Sequence, residues 1–173
     1  MQLPPKHLRA GLLALSLIAS LPVAATNFEV EVGRSYSDSR GANTAFFEAV
    51  LDPHAIGNSN FSWEPDFSVG WIDGRNVTNR RQDGYDIRSH TFLAAAGARF
   101  QYGQQGDWYR HLFFSFQPTY NSGRTPGLSS AYEFTSTLGW QGQRFSFQIR
   151  HISNGGIHDP NRGETMALVG LGF

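Results

Sequence analysis

The chain has 173 residues, with 14 basic and 14 acidic side chains and no cysteine. Formal neutrality gives no electrostatic case for nucleic acid or a strongly acidic partner. The missing cysteine excludes disulfides, a thiolate nucleophile and cysteine-held zinc. Aromatics make up 14% of the chain and there are 19 glycines, yet no segment after the N-terminus is a long apolar run. That excludes a helical membrane protein and fits strands with one apolar and one polar face.

Residues 1–25 form a unit of their own. Lys6 and Arg9 precede an apolar run from Leu12 to Ala19, and Leu21-Pro22-Val23-Ala24-Ala25 ends it with small residues. This is the order of a secretory signal peptide with cleavage after Ala25. A membrane anchor would need about 18 uninterrupted apolar residues, and Pro22 comes too soon. The expected mature chain, 26–173, suits one domain, because domains commonly run to about 100–150 residues.

Period-two alternation then recurs about eight times, separated by turn-rich stretches. Phe28 to Gly33 is apolar on one face and acidic on the other, with Glu29 and Glu31 directed to a polar interior. Ala45 to Leu51 and Trp63 to Ile72 are less regular strands, linked by Asp52-Pro53-His54 and Gly57-Asn58-Ser59-Asn60. A charged loop from Asp73 to Gly84 precedes a strand from Ser89 to Tyr102, in which His90, Phe92, Ala94, Ala96, Ala98 and Phe100 share a face. After the short turn at Gly103 to Asp107, Trp108 to Tyr120 sets Leu112, Phe114 and Phe116 against His111, Ser115 and Gln117, with Phe113 out of pattern.

Ala131 to Trp140 opposes Tyr132, Phe134 and Leu138 to Glu133, Thr135 and Thr137. The tight reversal Gln141-Gly142-Gln143 leads into Arg144 to Ser153, the clearest strand, with Phe145, Phe147 and Ile149 on one face. The last strand carries Thr165, Ala167, Val169, Leu171 and Phe173 on one face. Its terminal aromatic resembles the C-terminal signal of outer-membrane barrels. Eight such strands predict an all-β fold, an eight-stranded antiparallel transmembrane β-barrel, filled by side chains rather than hollow. A soluble barrel or a β-sandwich would instead have to bury Phe145, Phe147, Ile149 and Phe173.

Between the last two strands the pattern breaks into Arg150-His151-Ile152-Ser153-Asn154-Gly155-Gly156, followed by His158-Asp159-Pro160-Asn161-Arg162-Gly163-Glu164. His151 and Ser153 share a face with Phe147 and Ile149, and residues two apart on a strand lie about 6–7 Å apart along it. An imidazole so placed can take the proton of a serine hydroxyl and make it a nucleophile. The same pair also fits the ordinary polar end of a strand at headgroup level, and by itself a His-x-Ser pair is a weak motif. His54, His90, His111 and His158 show no paired metal-ligand spacing and read as loop or strand residues, so no metal or cofactor is expected.

The run His151-x-Ser153-Asn154, a glycine at 156, Pro160-Asn161-x-Gly163 and an acidic residue before the last strand resembles the active-site signature of lipid A 3-O-deacylases, the PagL-type outer-membrane barrels. The motif resemblance covers His151 to Phe173, and the rest agrees in architecture and length. It implies a bacterial outer-membrane serine esterase that removes the ester-linked 3-hydroxyacyl chain at position 3 of lipid A. Outer-membrane lipids would surround the protein, and a homodimer is the assembly the family suggests. By the same resemblance His151 is the general base, Ser153 the nucleophile, Asn154 an oxyanion donor through its amide or backbone N–H, and Asn161 a support for the loop.

The acid departs from the family pattern, in which it stands two residues beyond the glycine that matches Gly163. Thr165 fills that position here, and Glu164 follows the glycine directly. Strict alternation back from Phe173 puts Thr165 on the lipid face and Glu164 on the lumen face. Either a bulge near Gly163 turns Glu164 outward to orient His151, or the orienting acid is missing. The bulge is the preferred reading, because an otherwise intact His-Ser-Asn set argues for working chemistry; Asp159 is a remoter substitute that more simply starts a turn with Pro160. Two rival functions fit the same chain. One is a non-catalytic barrel that binds lipopolysaccharide phosphate through Arg75, Arg80 and Arg81; the other is a different outer-membrane lipid esterase or acyltransferase.

Overall fold

The computed structural model describes residues 27–37, 40–75, 81–82, 85–86, 90–104 and 106–173. The expected signal peptide lies outside the described residues. Eight long strands form a meander: β1 (Asn27–Ser37), β2 (Arg40–Val50), β3 (Phe61–Asp73), β4 (His90–Tyr102), β5 (Leu112–Asn121), β6 (Tyr132–Gln141), β7 (Phe145–Ser153) and β8 (Glu164–Gly172). Each pairs antiparallel with its sequence neighbours, and β1 pairs with β8 to close the ring. Closure leaves no free edge, which is how a sheet satisfies its backbone in lipid.

The alternation read from the sequence decides which side of the wall each residue takes. Phe145, Phe147, Ile149 and Phe173 are 55–71% exposed on the outside, which removes the soluble barrel and the sandwich. Phe173 stacks on Phe28 at 6.3 Å, and Phe28 on Phe47 at 5.7 Å, so the terminal aromatic seats against β1 and β2. Inside the barrel the same strands place Glu29, Glu31, Glu48, Asp66, Arg99 and Arg150, all buried. Arg99 meets Glu48 at 2.9 Å and Asp66 at 3.7 Å, and Arg150 meets Glu31 at 3.0 Å and Glu48 at 3.3 Å. Buried charges persist only when paired in this way.

Toward the end where the connections 122–131 and 154–163 lie, the interior turns apolar. Ala42, Phe46, Ile72, Leu93, Leu128, Ile152, Met166 and Leu168 fill it as one cluster. The barrel is thus plugged by side chains, as its small strand number requires.

Two expectations are corrected. Trp108 to His111 form a 3₁₀ turn, and the fifth strand starts only at Leu112. Phe113, the residue out of pattern, is inside the barrel, with the Arg99 guanidinium 3.9 Å from its ring centroid. It follows the period after all, and an aromatic face there receives a buried cation.

Candidate active site

The antiparallel register of β7 and β8 pairs His151 with Thr165 and Ile152 with Glu164. No bulge interrupts it, so parity holds down to the first residue of β8. His151 and Thr165 face outward together, and His151 Nδ1 lies 2.9 Å from Thr165 Oγ1. On its other side His151 pairs with Ser136 of β6. Ser153, half-buried at the end of β7, stands on the same face beside Phe134.

Gly163 closes the site from the loop. Its φ is +69°, and a Cβ there would fall 2.7 Å from His151 Cε1 and 3.2 Å from Nε2. Both the left-handed backbone and the approach of the imidazole demand glycine.

Glu164 does not turn outward, which corrects the expectation that it orients His151. It is buried in the barrel, where it accepts hydrogen bonds from Ser35 Oγ and from both Arg75 terminal nitrogens, at 2.8 and 2.5 Å. The reason is electrostatic: inside, a guanidinium offers the carboxylate two parallel hydrogen bonds. Outside, it would have met lipid. Arg75 is therefore committed to the interior and is not a free surface cation; Arg80 and the Arg81 side chain lie outside the described residues. Asp159 is exposed on the loop.

Asn154 is buried and fully engaged. Its Nδ2 donates to Ser129 Oγ at 2.8 Å and to the His158 carbonyl at 2.7 Å. Its Oδ1 accepts from the backbone N–H groups of Gly156 and Ile157, and its own backbone N–H donates to Asn161 Oδ1 at 3.1 Å. Asn154 and Asn161 thus knit the loop after Ser153, and both Asn154 donors named for an oxyanion are already in use. The loop is also tied to its neighbour, because Gly163 N–H donates to the Gly127 carbonyl at 3.0 Å. Sequence reading missed Ser129, Gly127 and Arg75 here, since each reaches the site from a distant connection.

The other histidines among the described residues take ordinary places. His54 packs on Trp63, His90 on Phe92, His111 Nδ1 lies 2.7 Å from the Gln141 carbonyl, and His158 is exposed on the loop. Below His151 a groove of about 450 Å³ runs down the outer wall, lined by Ile149, Ala167, Leu138, Phe147 and Val32.

An eight-stranded barrel with an apolar outer wall, and an imidazole and two hydroxyls at its rim, defines an outer-membrane barrel with a polar site open to lipid. The family model of lipid A 3-O-deacylase (PagL) matches residues 48–173, and the chain belongs to that family. The crystal structure of the outer membrane enzyme PagL is similar, with a TM-score of 0.57 at 14% identity, covering 85% of this chain and 98% of that one. The backbone structure of the Yersinia pestis outer membrane protein Ail in a phospholipid bilayer nanodisc gives 0.40 at 10% identity, over 85% of this chain and 99% of that one. No curated protein matches the chain significantly. The family and the barrel place the protein in the bacterial outer membrane.

Proposed function

We propose that this barrel hydrolyses the ester linking a 3-hydroxyacyl chain to position 3 of lipid A, with Ser153 as nucleophile, His151 as general base and Thr165 in the place of the orienting acid. The observation that carries the reading is the 2.9 Å contact between His151 Nδ1 and Thr165 Oγ1, on the lipid-facing wall beside Ser153. A hydroxyl oxygen that accepts from Nδ1–H leaves Nε2 with its lone pair, the tautomer a general base needs.

Nε2 then takes the Ser153 proton as Oγ bonds to the acyl carbonyl carbon. The tetrahedral adduct expels the sugar oxygen, which receives that proton. Water repeats the sequence on the acyl-serine, releasing the 3-hydroxy acid and restoring Ser153. With the Asn154 donors engaged, the backbone N–H of Gly155 is the candidate for the oxyanion. The groove below His151 suits the departing acyl chain, because the chain can lie along Ile149 and Ala167 among the acyl chains of the surrounding bilayer. Long loops face outward in outer-membrane barrels, so the site lies at outer-leaflet depth, where lipid A resides.

The inward turn of Glu164 favours one alternative, a non-catalytic barrel that only binds lipopolysaccharide. Mass spectrometry of lipid A from cells expressing the protein separates the two. The deacylase reading expects loss of one 3-hydroxyacyl chain, and Ser153→Ala lowers the rate by about 10⁴-fold or more. Unchanged lipid A with the native protein, or full activity in Ser153→Ala, would overturn it.

A further inference from the structure

β1 turns its even-numbered residues to the lipid: Val30 is 45% exposed, Val32 56% and Tyr36 50%. Arg34 belongs to this exposed row. A guanidinium on a lipid-facing wall costs about 2–4 kcal/mol at the bilayer midplane and about 0–1 kcal/mol near the interface. The side chain accordingly rises toward the loop end. Arg34 Nη1 donates to Asn43 Oδ1 at 3.1 Å. At Gly41 a Cβ would fall 2.6 Å from Arg34 Nη2 and 3.2 Å from Nε, so the bare backbone of β2 forms the shelf on which the guanidinium lies.

The register aligns this shelf with the site. Gly41 pairs with Tyr36, Tyr36 with Thr165, and Thr165 with His151. At about 4.8 Å between strands, the guanidinium stands roughly 10–14 Å along the wall from His151. That span, with the exposed Tyr36 in the same row, is comparable to the reach of one phosphate and the sugar that carries it. Arg75, Arg99 and Arg150 are each paired with carboxylates, whereas Arg34 forms no ion pair among the described residues.

We propose that Arg34, seated on Gly41 and braced by Asn43 beside Tyr36, binds the phosphate monoester of the same glucosamine whose acyl ester is cut. This deepens the deacylase reading and rests on it. An arginine fork offers two parallel hydrogen bonds to phosphate oxygens, and the shared row sets the phosphate and the ester at one depth. A phospholipid phosphodiester carries less negative charge and stands on a flexible glycerol instead of a sugar ring, so it offers the fork a weaker and less fixed partner.

The test uses the full chain carrying Ser153→Ala, which binds without turnover, in phosphatidylcholine nanodiscs. It is titrated with lipid A bearing both phosphates, with lipid A lacking the phosphate on the ester-bearing glucosamine, and with phosphatidylglycerol. Removing that phosphate and replacing Arg34→Gln each weaken binding about tenfold, and the two together weaken it no more than either alone. Arg34→Lys keeps part of the affinity. Equal weakening of both lipid A forms by Arg34→Gln, no weakening of either, or displacement by phosphatidylglycerol at the same concentration as lipid A overturns the proposal. Binding is read apart from hydrolysis: a protein that shows this coupled pattern without releasing fatty acid refutes the deacylase reading and leaves the phosphate site standing.

Discussion

Glu164 and Thr165 are neighbours in the chain and stand on opposite sides of the barrel wall. Glu164 grips Arg75 inside, at 2.8 and 2.5 Å, while Thr165 holds His151 outside, at 2.9 Å. The inner contact fixes where β8 begins, and so which side chain meets the imidazole.

Thr165→Val keeps the shape and removes the hydrogen-bond partner of Nδ1. The expected outcome is a fall in kcat of roughly 10- to 100-fold at nearly constant KM, since one hydrogen bond to a group that becomes charged is lost. Thr165→Glu supplies a carboxylate that stabilises the imidazolium and raises kcat about tenfold or more. Steady-state release of 3-hydroxy fatty acid checks both, and a Thr165→Val enzyme with native kcat removes Thr165 from the mechanism.

Glu164→Ala leaves the Arg75 guanidinium, whose side chain is only 15% exposed, without its carboxylate. Breaking a buried pair from one side costs about 3 kcal/mol. Urea unfolding of the folded barrel from micelles should show this loss. Activity should fall through displacement of Thr165 and stay well above that of Ser153→Ala; equal inactivation with undiminished stability would instead make Glu164 part of the chemistry.

Gly163→Ala places a methyl 2.7 Å from His151 Cε1 at a backbone φ of +69°. The imidazole must move, and a displacement of about 1 Å at a reacting group can cost about 100-fold in rate. A kinetic comparison with Gly156→Ala is informative, because Gly156 also has positive φ but meets nothing within 4 Å. Comparable losses in both variants would point to loop strain rather than to the imidazole contact.

Much of this arrangement is local and was readable from the chain. Strict alternation of Phe145, Phe147 and Ile149 assigns the face of His151 and Ser153, and counting back from Phe173 assigns Thr165 outward, because successive strand residues must alternate sides. Phe113 follows the same rule, although its character hid it. What alternation could not supply is a reason for Glu164 to stay inward when the chemistry invited a bulge.

That reason comes from Arg75, 89 positions away in sequence, which reaches Glu164 only once the barrel has closed. The same holds for Ser129, which completes the bonding of Asn154, and for Gly41, which becomes a shelf for Arg34 only beside β1. The sequence by itself determined the strands, their two faces and the His-x-Ser pair, since these depend on neighbours along the chain. The tertiary structure decided the partner of each charge, because ion pairs across a closed ring depend on register between strands and not on period within one.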